Sequence, residues 1–228
     1  MSVKNNITLF KREIESTGCK LIAVSKTHSA EKILEAYQSG QRIFGENKVQ
    51  EMVSKWEVLP KDIEWHLIGH LQTNKVKYIA PFVHLIHSVD SQKLLEEINK
   101  QAKKVNRKIN CLLQVHIAKE ETKFGFSEPE VTALLDSQVI PGLDAITLQG
   151  LMGIASLTAD TNQIRAEFRL LKNLFDTVKS RAIPGTDFRE LSMGMSSDYK
   201  IAMQEGSTMV RLGTALFGER DYSANIIA

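Results

Sequence analysis

Residues 21–50 read LIAVSKTHSAEKILEAYQSGQRIFGENKVQ, and the order of patterns in this stretch decides the fold. LIAV at 21–24 is short, apolar and partly β-branched, which is the signature of a buried strand. From Ser29 to Gly40, Ile33, Leu34 and Tyr37 recur at helical spacing, with Ser29 as N-cap and Gly40 as stop. Residues 42–44 form a second, short strand, and helix resumes over 47–56. Strand, helix, strand, helix within so few residues predicts parallel βαβ units rather than hairpins.

The same alternation continues in both directions. Upstream, Val3, Ile7, Phe10 and Ile14 predict an opening helix. Downstream, strands are expected at 64–68, 83–89, 109–117 (the longest), 145–148, near 190–191 and near 209–210. Helices are expected at 73–78 (closed by Pro81), at 91–105 and from Ser127 to near Pro141. Two more are expected at 162–178 and near 198–204. About eight strands, each followed by a helix or helical turn, predict an α/β chain folded as a single (β/α)₈ TIM barrel over residues 1–228, with an extra N-terminal helix. The competing architecture is an open doubly wound sheet. There is no GxGxxG after the first strand and no GxxxxGK[ST], so nothing recommends it.

Composition agrees with a globular domain. Of 228 residues, 43% are hydrophobic and 25% charged, enough for a full core. A net charge of +2 gives no reason to expect nucleic acid or an anionic membrane as partner. Cys19 and Cys111 are too few for a disulfide framework and are expected as buried free thiols in a reducing compartment. No apolar run reaches a membrane span, and the first residues lack a signal-peptide centre, so a cytoplasmic chain is expected.

In a barrel the chemistry sits at the carboxyl ends of the strands. Lys26 directly follows the first strand. Partial burial there lowers a lysine pKa and frees the amine to attack a carbonyl, which is what a Schiff-base lysine needs. A lysine that snorkels to solvent is the alternative at that position. MGMSSD at 193–198 and RLGT at 211–214 place glycines, serines and a threonine at the last two strand ends. Barrels bind phosphate there, through backbone N–H groups, and ordinary N-caps are the competing reading. Arg211 could be a phosphate ligand, a structural ion-pair member or a donor to a ring nitrogen. His66 and His70 are four apart, but WHLIGH reads as strand plus turn and HExxH is absent, so no metal site is expected. His84, His87 and His116 are expected as core or rim residues. No nucleophile elbow is present.

Taken together, LIAVSKTH (21–28), FGENKVQE (44–51), WHLIGHLQTNK (65–75), KFGF (123–126), LQGLMGIA (148–155) and LSMGMSSDYKIAMQEGSTMVRLGTALFGER (191–220) resemble the pyridoxal phosphate homeostasis proteins. The resemblance spans about residues 20–220. It implies a barrel like the N-terminal domain of alanine racemase, holding pyridoxal 5′-phosphate, the vitamin B6 cofactor, as an internal aldimine. By motif position it implies Lys26 as the Schiff-base lysine and Asn47 as a lining residue. Ser196, Gly213 and Thr214 would form the phosphate cradle, with Gly194 in the same loop, and Arg211 would face the pyridine nitrogen. Met152, His66 and His70 would be pocket walls. Lys48 and His28 depart from the residues common at their motif positions, away from the anchors.

The resemblance implies a carrier that buffers or delivers the cofactor, with apo-enzymes as partners, no robust turnover and a monomeric state. The alternative is a racemase-type enzyme, which needs a second base, a tyrosine from an additional domain. The chain runs eight residues past Arg220, so no such domain is expected. A phosphate-binding barrel enzyme without the cofactor would leave Lys26 unexplained.

Overall fold

The structure is a computed structural model and describes residues 2–120, 124–181 and 183–218. Lys123 of KFGF, Glu219 and Arg220 of FGER, and Tyr222 lie outside the described residues. Eight strands among them form a closed parallel barrel in sequence order, β1 (Lys20–Val24), β2 (Ile43–Glu46), β3 (Glu64–Leu67), β4 (Leu85–Val89), β5 (Ile109–Val115), β6 (Ile146–Gly153), β7 (Thr186–Met195) and β8 (Met209–Leu212). The ring closes where β8 pairs with β1, in the register Lys20↔Met209 to Ala23↔Leu212.

Helices fill the crossovers: α2 (Ala30–Gln38), α3 (Val49–Val58), α4 (Val76–Ile79), α5 (Gln92–Lys104), α6 (Glu128–Asp136), α7 (Thr161–Lys179) and α8 (Tyr199–Gln204). The short α9 (Thr214–Phe217) follows the last strand, and α1 (Val3–Glu15) precedes the first as the extra N-terminal helix. Each amphipathic stripe turns inward as its period requires. On α7, Ile164, Phe168, Leu171, Phe175 and Val178 are buried, and Asp160 caps the start by accepting from the Asn162 and Gln163 amides. On α6 a full capping box joins Ser127 and Glu130. Ser29 occupies the N-cap of α2 without a side-chain cap bond, and Gly40 follows its end with φ +90°.

The core has two compartments. A large one lies between sheet and helices and contains Ile7, Ile33, Phe44, Trp65 and Phe168. A small separate one, Ile22, Leu85, Leu112, Met152 and Met209, plugs the barrel interior. The barrel is therefore a packed core, open to ligands at its ends.

Two strands depart from their expected lengths. β6 runs through Gly153 instead of stopping at 148, and β7, ten residues long, exceeds β5 with seven. The sequence hides both because glycine reads as a turn. Gly150 has φ +153° at a register shift, where an added Cβ would lie 1.7 Å from the Glu190 carbonyl oxygen. Gly194 has φ +93° at a second shift, where a Cβ would lie 2.5 Å from the Ala202 Cβ. These glycines bend continuing strands rather than ending them.

Candidate functional site

At the carboxyl end of the barrel, Val24, Lys26, His28, Leu157, Met195, Ser196, Ser197, Gly213 and Thr214 line a cavity of about 410 Å³. That volume falls in the ~300–1,000 Å³ range of small-molecule sites. Four of the sequence-derived residues, Lys26, Ser196, Gly213 and Thr214, share this cavity although they come from three separate loops. Leu157, 92% exposed, lies in the loop after β6 and carries no sequence signal.

Lys26 sits in a turn pinned from both sides. The Ser25 amide donates to the Gly45 carbonyl, and the His28 amide donates back to the Ser25 carbonyl, at 3.0 and 3.1 Å. Thr27 takes φ +66°, a left-handed conformation that costs a non-glycine residue roughly 1–3 kcal/mol. Buried charges hold the turn in place. Lys55 Nζ, on α3, donates to the Ser25 carbonyl at 2.8 Å, to Glu46 Oε1 at 2.7 Å and to Glu51 Oε1 at 2.6 Å. Ser25 Oγ donates to Glu46, and Glu51 accepts the Thr27 amide. Burial pushes the Glu46 carboxyl up to about 7, and Lys55 pulls against that shift. The residues on either side of Lys26 thus hang from one ion cluster behind the barrel wall. Sequence reading gave Glu46, Glu51 and Lys55 no role, because a Glu–Lys pair four apart on a helix looks like an ordinary surface pair.

The opposite wall is the junction of the loops after β7 and β8. The Gly213 amide donates to Ser196 Oγ at 3.4 Å, tying the two loops together. Asp198 Oδ1 accepts from the Met195 amide, which fixes the turn that presents Ser196. Gly194, buried, lets β7 pass against α8 with no room for a side chain. The helices that follow are short, six residues in α8 and four in α9. An anion here would be held by loop N–H groups and hydroxyls more than by helix dipoles.

Arg211 lies two residues before Gly213 and is buried, 4% exposed. It donates to Ser192 Oγ at 2.6 Å and to the Gly153 carbonyl at 3.0 Å. Burial lowers its pKa to about 10, so it is a cation at neutral pH. Ser192 Oγ also meets His87 Nδ1 at 2.9 Å, and His87 Nε2 meets His66 Nδ1 at 2.9 Å. This chain crosses the barrel interior from β8 to β3. Burial, the dominant cause, pushes both histidines well below their ordinary 6.5, so both are neutral.

The remaining expected residues fall around the cavity rather than on it. Met152 belongs to the interior plug. His66, 1% exposed, is inside the barrel. Asn47 follows β2 half-buried, and its carbonyl oxygen would lie 2.4 Å from a Cβ added at Gly69. His70 stands at the mouth, paired with Asp90 at 2.9 Å and stacked on Phe124. Cys19 and Cys111 are buried free thiols, and burial pushes the Cys19 thiol up to about 11.

The family described as "Alanine racemase, N-terminal domain" matches residues 1–221. A pyridoxal phosphate homeostasis protein of Aquifex aeolicus is 44% identical, over 89% of this chain and 88% of its own. PipY of Synechococcus elongatus, solved with PLP bound, is 37% identical with a TM-score of 0.86, covering 95% of this chain and all of PipY. An alanine racemase of Clostridium difficile, 16% identical, shares the fold with a TM-score of 0.73 over 94% of this chain and 57% of its own. Among the described residues no helix is long and apolar enough to cross a membrane.

Proposed function

This chain belongs to the alanine racemase N-terminal domain family and, within it, groups with the pyridoxal phosphate homeostasis proteins, and on that premise we propose that it binds pyridoxal 5′-phosphate reversibly through Lys26. In this reading it buffers or delivers the cofactor, as a cytoplasmic monomer with apo-enzymes as acceptors. The observation that carries the proposal is the shared cavity, which sets the Lys26 amine against the Ser196, Gly213 and Thr214 loops. Pyridoxal phosphate, when bound, supplies an aldehyde to an amine and a phosphate to an anion site. The residues fit both ends. Lys26 would supply the amine for the aldehyde, with water as the leaving group, and the loop amides and hydroxyls would hold the phosphate.

Arg211 would set the character of the site. A guanidinium has donors only, so it accepts no proton from a ring nitrogen and leaves that nitrogen unprotonated. A ring held this way draws electrons weakly. The tyrosines among the described residues stand on the helical shell: Tyr37 bonds Asp62, Tyr199 bonds Glu13, and Tyr78 is half exposed on α4. None of them lines the cavity to serve as a second base. Both points favour a carrier over a racemase.

Two measurements test this. Borohydride reduction of the cofactor-loaded protein, followed by peptide mass mapping, is expected to put the pyridoxyl group on Lys26, and Lys26→Ala to fold but lose the label. A main label on another lysine overturns the assignment. Incubation with apo-enzymes and with L- and D-amino acids in parallel is expected to show cofactor transfer without inversion. Inversion at an ordinary enzymatic rate, on the order of 1 s⁻¹, would make the protein a racemase.

A further inference from the structure

The amino-terminal end of the barrel, opposite Lys26, carries its own cluster. Glu64 opens β3, His66 lies two residues further along it, and His84 immediately precedes β4. The His84 amide donates to the Trp65 carbonyl at 2.9 Å, which fixes the backbone between the two strands. The His66 and His84 rings stack with centroids 5.5 Å apart, and His84 Nε2 lies 3.5 Å from Glu64 Oε2. One ligand atom from each of the three residues lies within 4.8 Å of the others.

A second observation points into this cluster. His66 Nε2 is buried and has no hydrogen-bond partner, which is unfavourable in a folded protein unless something else fills the role. The other nitrogen of the same ring, Nδ1, is held by His87 Nε2, and His87 is held in turn by Ser192. A ring fixed through one nitrogen with the other presented to a cluster of donors is the arrangement of a metal-ligating histidine. The neighbouring Lys20 is engaged by Glu190 at 2.5 Å. Glu64 and His84 are partly exposed, 44% and 47% at their side chains, so an ion has an entry path from solvent.

We propose that Glu64, His66 and His84 bind a first-row divalent transition metal of the zinc type, with the remaining coordination open to water. Tetrahedral zinc with ~2.0–2.2 Å bonds sets its ligand atoms roughly 3.3 Å apart, close to the Glu64–His84 separation. Two imidazoles and one carboxylate select such an ion over calcium or magnesium. Sequence spacing pairs His66 with His70, but the fold sends His70 to the other end and brings in His84, 18 positions along the chain. Binding at His66 Nε2 puts the ring proton on Nδ1, which then donates to His87. That fixes one proton arrangement along the chain that ends at Arg211.

The full-length protein is titrated with Zn²⁺ by calorimetry and with Co²⁺ by visible absorption. One ion per chain is expected, with tetrahedral Co²⁺ bands. His84→Ala and Glu64→Ala alter partly exposed side chains, and each is expected to keep the fold by circular dichroism and to weaken binding at least about tenfold. His70→Ala is expected to bind as the parent does. Absence of stoichiometric binding, binding that survives both His84→Ala and Glu64→Ala, or loss in His70→Ala overturns the proposal.

Discussion

The barrel wall separates two buried polar networks built on opposite principles. Outside it, between β2 and α3, the Lys55 ammonium stands between two carboxyl groups, 2.7 Å from Glu46 and 2.6 Å from Glu51. Inside it, Arg211, Ser192, His87 and His66 link four strands by hydrogen bonds, with the guanidinium as the one charge and both imidazoles neutral. The outer network grips backbone, the Ser25 carbonyl and the Thr27 amide, so it sets where Lys26 stands. The inner one grips a side chain and sets how Arg211 points. A loop needs charge to be held against solvent, whereas a residue within a packed barrel can be oriented by neutral groups whose burial costs less.

Breaking the outer network should have the largest effect. Lys55→Met removes the cation shared by Glu46 and Glu51 and, above pH 7 where Glu46 is ionised, leaves that carboxylate uncompensated in the wall. We expect a loss of about 3–5 kcal/mol, read from urea unfolding. A loss below about 1 kcal/mol would mean that water reaches the cluster and that it does not hold the turn.

The two networks should also respond to pH in opposite senses. Glu46 keeps its proton from the ordinary 4.5 up to about 7 in the folded chain. Across that window the folded state binds a proton that the unfolded state has released, so this contribution to stability falls as pH rises, by roughly 3 kcal/mol in all. Glu46→Gln is expected to remove that fall in unfolding free energies measured between pH 4.5 and 7. An unchanged slope would show that the carboxyl is ionised throughout.

Removing a single histidine from the inner network gives the smallest of these effects, on the acid side. Below 6.5 the unfolded chain protonates His66 and His87 while the folded chain does not, so stability falls as pH drops. Each histidine contributes up to about 1.4 kcal/mol per pH unit. His87→Gln should therefore remove about half of their joint acid slope, and an unaltered slope would mean that the folded ring is charged. The Glu46 and histidine effects oppose each other between pH 4.5 and 6.5, so each variant uncovers the other contribution.

The comparison also explains what the sequence could and could not reveal. The barrel is legible because LIAV, the α5 and α7 stripes and their caps are local patterns, and Lys26 is legible because it directly follows one of them. Neither network is. Lys55 reads as a surface partner of Glu51 until β2 is known to bring Glu46 beneath it. His66 and His87 are 21 residues apart and Ser192 is 105 further on, and nothing local says that they meet. Barrel closure creates that contact. Gly150 and Gly194 mislead for a related reason, because a glycine forced by the approach of another strand looks the same as a glycine that ends one.

The β1–β8 seam has a bearing on how the chain folds. A closed ring has no edge strand, but the strands that close this one lie at opposite ends of the described chain. α1 fastens the seam from outside: Asn6 donates to the Leu216 carbonyl, and Glu13 accepts from Tyr199. The first helix can pack on α2 and β1 early, but its contacts with α8 and α9 wait until residue 217 has been synthesised. Until then β1 pairs with β2 alone and the growing sheet is open. Such long-range closure is slow, and an open parallel sheet exposes edges and apolar surface to other chains. The state most at risk of aggregation is thus a nearly complete chain still missing its last strand, and the rate of seam closure sets how long that exposure lasts.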